Sequence, residues 1–222
     1  MRKRVLYIDI LKGFAIIAVV LFHINCLFPS TQLFNFGILG AMWHVPLFFL
    51  ISGFFITESK LADTKNFLWN KFKGLYLKGL YYFLPVALLH NVFFELNWYR
   101  EGVSYSGEFE TVLGIKEHLI LLVKNLFLMS REPIVGAMWF LDSLFIAMVG
   151  LCLLVYISKK LKFNLKSLFL PIMALLILSN VTTNILGVTL PKINNSVTAM
   201  ALIYMGHMLF QKGGGRFINF YS

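Results

Sequence analysis

Three ionisable side chains, Asp9, Lys12 and His23, fall within one apolar stretch near the start of the chain. Inside a bilayer each such group costs roughly 2.5–3.5 kcal/mol on insertion scales, so it normally faces a bundle interior or a wet cavity. If the stretch is helical, the step from Lys12 to His23 turns by about 1100°, three turns and about 20°, which puts both side chains on one face. Their axial separation is about 16 Å, so a polar seam runs from one membrane surface toward the interior. Asp9 stands three residues before Lys12, within reach of an i,i+3 ion pair that partly offsets the burial of both. A neutral imidazole at the inner end of the seam can serve as general base or as nucleophile. The bland alternative has Lys12 snorkelling to headgroups, Asp9 pairing with it or capping the helix, and His23 tying two helices together.

A second histidine, His44, lies in the run Trp43-His44-Val45-Pro46-Leu47-Phe48-Phe49-Leu50-Ile51-Ser52-Gly53. Read as mid-span, Pro46 removes a backbone hydrogen bond and bends the helix, while Ser52 and Gly53 allow close helix approach, so the segment can shape a cavity beside the first span. Asp142 follows Trp139 in a later apolar run and suits structure as readily as catalysis. His90, His118 and His207 sit near expected span boundaries with no partner at telling spacing, and read as ordinary interface residues. No Gly-rich phosphate loop, His-Glu-x-x-His zinc motif or Gly-x-Ser-x-Gly elbow is present, so no metal is expected.

The elements that must position these groups follow from composition. Of 222 residues, 59% are hydrophobic and 14% charged, against about 45–50% and about 25% in a soluble domain. The expected fold is an all-α polytopic transmembrane bundle. Spans of roughly 20 apolar residues are expected at 8–28, 34–57, 76–96, 138–158, 167–187 and 197–211. Leu119 to Met129, which carries Lys124 and Asn125, is too short to cross and suits an interfacial or re-entrant helix. Cys26 and Cys152 lack metal-ligand spacing and read as packing residues.

The net charge of +10 is gathered in short clusters between apolar runs. This pattern reports membrane orientation and argues against a nucleic-acid partner. Six spans place most of the 20 basic residues on one side: Arg2 to Arg4, the loop from Lys60 to Lys78, the loop from Lys159 to Lys166, and Lys212 with Arg216. The chain ends are therefore expected in the cytoplasm of a multi-pass plasma-membrane protein, with the Glu-rich segment 97–137 outside. The first apolar run lacks a small-x-small cleavage pattern and reads as a retained helix. Residues 1–211 form the expected membrane domain. Residues 212–222, opening on the flexible-looking Gly213-Gly214-Gly215, form a short cytoplasmic tail that has neither the length of a span nor the polarity of an ordinary tail.

Three stretches carry a family resemblance: Ile8-Asp9 through Lys12-Gly13 to His23, His44-Val45-Pro46 through Ser52-Gly53, and Met138-Trp139-Phe140-Leu141 to Phe145. In these the chain resembles the integral-membrane acyltransferases of family three, and in carrying lysine at position 12 it is similar to their fucose 4-O-acetylase-like branch. The resemblance implies that His23 is essential and that Lys12 accompanies it. Family members commonly place two arginines three residues apart before the third span, associated with the phosphates of coenzyme A. Here Lys71 stands at the first position and Gly74 at the second, so donor binding is implied for Lys71, Lys73 or Lys78. Family members have more spans than six, so an incomplete, C-terminally truncated domain is also implied.

The activity implied is transfer of an acyl group, acetyl first among them, from acyl-CoA to a hydroxyl of a cell-envelope glycan or lipid-linked sugar. His23 would be general base or acyl carrier, Asp9 would hold Lys12, and His44 or backbone donors near Pro46 would stabilise the oxyanion. Two readings stand beside it: a transporter or flippase component with the same residues in its pathway, and a catalytically inactive relic.

Overall fold

The computed structural model describes residues 5–27, 43–99, 111–128, 132–185, 187 and 191–217. The described elements are all helical. They fall into two compact units, one formed by residues 1–62 and 198–222 and the other by residues 63–197.

In the first unit, helix α1 (Leu6–Leu27) is apolar apart from the few polar residues named above, as expected of a helix in lipid. It buries a narrow stripe of Ile8, Ala15 and Ala18, while Leu6, Phe14, Ile17 and Val20 remain exposed. Helix α2 (His44–Phe54) packs against it, and α3 (Glu58–Ala62) follows. The C-terminal part of α10 (Pro191–Phe217) belongs to the same unit. A Cβ at Gly53 would run into the Ile203 carbonyl, and one at Gly206 into that of Leu50. These two glycines let α2 and α10 touch backbone to backbone, the close approach that Ser52-Gly53 suggested. His207 lies 3 % exposed, its Nδ1 donating to the Ile56 carbonyl at 2.9 Å.

The second unit opens with one helical rod. Helix α4 (Thr64–Lys71) is capped by Asp63, whose carboxylate accepts from the Asn66 backbone at 3.2 Å. A π-helical segment, Phe72–Leu77, leads into α5 (Lys78–Leu88). The expected Lys60 to Lys78 loop is thus largely helix. The expected span 76–96 is not a single rod either, since the helix breaks at Leu89 before α6 (His90–Glu95). There the Asn91 side chain pairs with the backbone of Leu113, donating to its carbonyl at 2.9 Å and accepting from its N–H at 2.8 Å.

Helix α7 (Ile115–Leu126) has 12 residues, too few to cross a bilayer. It packs against α5 with Leu121 and Asn125 buried. Helices α8 (Trp139–Lys160) and α9 (Phe169–Asn184) follow, each led by a short 3₁₀ turn.

Among the described residues, three helical stretches are long and apolar enough to cross a membrane: Leu6–Ile24, Ile134–Lys160 and Lys166–Asn184. They correspond to three of the expected spans. Within the expected span 34–57, the helix that is described, His44–Phe54, is shorter, and residues 34–42 lie outside the described residues. The last expected span, 197–211, lies inside α10, which starts earlier, with Pro191 in its first turn, and continues through Gly213-Gly214-Gly215 to Phe217 rather than ending in a flexible link.

Candidate functional site

His23 sits on the last turns of α1, half-buried. Its Nδ1 lies 2.8 Å from the Val19 carbonyl one turn back. A carbonyl oxygen only accepts, so Nδ1 carries the proton and Nε2 keeps its lone pair. The helix itself therefore selects the tautomer in which Nε2 is basic.

Helix α2 brings His44 to the same place. The ring of Phe22 lies 5.6 Å from the His23 ring and 5.4 Å from that of His44. At the other end of the pair, the Lys12 ammonium lies 4.4 Å from the centroid of Phe55, just beyond α2. The two helices are thus antiparallel, with both imidazoles at one end and the cation at the other. A cation over an aromatic face gains about 0.5–2 kcal/mol, depending on how dry it is. That contact is what the structure shows for Lys12, and Asp9 is exposed.

His44 is 3 % exposed, and its Nδ1 has no hydrogen-bond partner among the described residues. An unsatisfied buried polar atom costs roughly 1–3 kcal/mol, which a ligand oxygen would recover. His44 is the first residue of α2 rather than a mid-span residue. Pro46 accordingly falls in the first turn of α2, where its missing N–H breaks no helical bond, and residues 34–42 of the expected span lie outside the described residues. The backbone donors available are those of the helix start.

Lys71, Lys73 and Lys78 all lie on the rod that opens the second unit. Lys71 is half-buried with its ammonium 5.3 Å from the Phe67 ring, and burial pulls its pKa below the ordinary lysine value. Lys73 and Lys78 are exposed, Lys73 lying 4.7 Å from the Trp69 ring.

Two buried polar clusters in the second unit were not anticipated. His90 and Glu132 are both 0 % exposed, with His90 Nδ1 3.1 Å from Glu132 Oε2. Tyr99 donates to the same oxygen at 2.7 Å, and His90 Nε2 donates to the Thr111 carbonyl at 3.2 Å. With both ring nitrogens engaged, His90 ties chain segments together and offers no free base. Its partner stands 42 positions away, beyond any local periodicity. In the other cluster, Asp142 on α8 is paired with Lys192 on α10 at 3.6 Å, and Lys192 also donates to the Leu128 carbonyl at the end of α7. Asp142 therefore has a structural partner. His118, by its bond to the Ala87 carbonyl at 2.7 Å, likewise joins α7 to α5. A cavity of about 290 Å³ lined by Asn91, Leu113, Gly114, His118 and Leu122 contains none of the residues to which the sequence assigned a catalytic or donor-binding role. Among the described residues no three His, Cys, Asp or Glu side chains converge as a metal site would require.

A family model described as an acyltransferase domain matches residues 5–218. The chain belongs to the acyltransferase 3 family. No curated protein and no solved structure matches it. Membership in acyltransferase 3, together with the three long apolar helices, makes this a membrane protein. The match takes in α1, α2 and the rod carrying the lysines, so every residue considered above lies within the acyltransferase 3 domain.

Proposed function

We propose that this chain is an O-acyltransferase that moves an acyl group, acetyl in the simplest case, from acyl-CoA to a hydroxyl of a cell-envelope glycan or lipid-linked sugar. Family membership supports acyl transfer. The observation that carries the assignment to a residue is the His23 Nδ1 bond to Val19, which leaves Nε2 ready to take a proton. The fucose 4-O-acetylase-like character rests on the lysine at position 12.

In this reading the acceptor hydroxyl gives its proton to His23 Nε2 as its oxygen attacks the thioester carbonyl carbon. His44, buried beside it with an open Nδ1, donates to the oxyanion that forms. When the C–S bond breaks, the departing thiolate takes the proton back from the imidazolium, leaving the ester, free coenzyme A and a neutral His23. The alternative order, attack by Nε2 to form an acyl-histidine before the acceptor arrives, uses the same atoms. Lys12 marks the cytoplasmic end of the seam, with Asp9 one turn further out. The resemblance assigns the donor's phosphates to Lys71, Lys73 or Lys78. Both chain ends face the cytoplasm of a multi-pass plasma-membrane protein, as the basic clusters suggest.

Purified chain in nanodiscs, given radiolabelled acetyl-CoA and a lipid-linked sugar extract, tests this reading. Label reaching the acceptor with wild type but not with His23→Ala supports it. Sugar movement across vesicles without label transfer overturns it in favour of a transporter. Neither activity overturns it in favour of a non-catalytic protein.

A further inference from the structure

On the rod from Thr64 to Leu88, exposed residues recur as neighbouring pairs every four positions: Lys65 with Asn66, Trp69 with Asn70, Lys73 with Gly74, Leu77 with Lys78, and Tyr81 with Tyr82. Four residues of α-helix turn by 400°, so such a stripe drifts about 40° per step and Tyr81 would stand about 160° round from Lys65. The π segment Phe72–Leu77 widens the turn through its i→i+5 bonding and takes up part of that drift. The exposed pairs therefore keep clear of the residues packed against α7 and α8.

Chemistry changes in order along this stripe. Charge is confined to its first part, where Lys65, Lys73 and Lys78 stand with Asn66, Trp69, Asn70 and Leu77; beyond Lys78 come Tyr81 and Tyr82, which are 74 % and 55 % exposed, and then the exposed Leu88 and Leu89. Cationic, then aromatic, then apolar is the succession met on passing from headgroups into hydrocarbon. Asp63 is the only acidic residue between Ser59 and Phe94, and it is occupied in capping α4. Between the two exposed lysines, a Cβ at Gly74 would meet nothing within 4 Å, so the backbone there is open to a headgroup. Lys71 is different: its ammonium is turned onto the buried Phe67 on the packed side.

We propose that Lys73 and Lys78 hold the phosphates of anionic phospholipid headgroups across the open backbone at Gly74, leaving Lys71 as the lysine of this rod that meets the acyl donor. The second half rests on the acyl-transfer reading; the first does not. Among the described residues of their own unit, a soluble donor finds no wall beside Lys73 or Lys78, whereas exposed Trp69, Leu77 and Tyr81 give a lipid both an apolar bed and an aromatic collar.

The test uses the full chain in bilayers, with Trp43, Trp98 and Trp139 replaced by Phe so that Trp69 reports alone. Its fluorescence is quenched by phosphatidylglycerol or phosphatidylcholine brominated near the headgroup end of the acyl chain. Quenching by phosphatidylglycerol is expected at lower mole fraction, by about fivefold for each lysine that contributes. Lys73→Gln with Lys78→Gln should level the two lipids, while Lys71→Gln leaves the preference intact and weakens acyl-CoA binding instead. Equal quenching before substitution, quenching by neither lipid, or a preference that survives the double substitution overturns the proposal. So does a loss of acyl-CoA binding in the double variant larger than that in Lys71→Gln. A chain that transfers no acyl group but shows the lipid preference sinks the acyl-transfer reading and leaves the lipid site standing.

Discussion

His23 and His44 flank one ring, that of Phe22, at centroid distances of 5.6 and 5.4 Å. The first imidazole is held by its own helix through Val19; the second is buried with an open Nδ1. In the proposed reaction the first accepts a proton and the second donates to the oxyanion, the division of labour that acyl transfer requires.

If His44 supplies the oxyanion donor, His44→Phe should lower kcat by about 10²–10³ with little change in the KM for acyl-CoA. Phe preserves the ring contacts with Phe22 and Trp43. Steady-state kinetics on variant and wild type, with a thermal melt to confirm folding, checks this. A change confined to KM would place His44 in binding instead.

The crossing of α2 and α10 makes a prediction with an internal control. Gly53→Ala drives a methyl into the Ile203 carbonyl and the His207 backbone nitrogen and should destabilise by about 1–3 kcal/mol. Gly13→Ala on α1, where a Cβ meets nothing within 4 Å, should be neutral or stabilising by up to about 1 kcal/mol. Melting curves in detergent should move in opposite directions for the two variants, or fall for Gly53→Ala alone.

How much of this was legible in the sequence depends on how local each feature is. The seam from Lys12 to His23 needs only the pitch of one helix, and α8 and α9 announce themselves by length and apolarity. The position of His44 does not follow from hydropathy, because an apolar run does not say where the helix inside it begins, and Pro46 fits a first turn as well as a kink. The side taken by Lys78 relative to Lys71 is hidden by the π segment Phe72–Leu77, since a 3.6-residue period puts the two on one face. His90 with Glu132, and Asp142 with Lys192, are pairings made by tertiary structure across 42 and 50 positions, and no periodicity reports them.

Burial first, then the hydrogen bond to Glu132 and its charge, hold the Tyr99 phenol well above the ordinary tyrosine value of 10.0. The folded protein keeps this proton longer than the unfolded chain does. The resulting stabilisation is complete below about pH 10 and is lost as pH rises through the folded-state value. The difference in melting temperature between wild type and Tyr99→Phe should therefore be constant up to about pH 10 and shrink above it. A difference that grows with alkalinity would mean that Tyr99 is not bound to a carboxylate.

The central claim is that His23 Nε2 takes the proton of the acceptor hydroxyl. It is tested most directly by kcat/KM for acyl transfer in His23→Ala, measured on a preparation whose melting curve matches wild type. The expected loss is about 10²–10⁴-fold, the worth of a positioned general base, and greater if the acyl group rests on the imidazole. Transfer within a few fold of wild type would contradict the claim and move the chemistry to another residue.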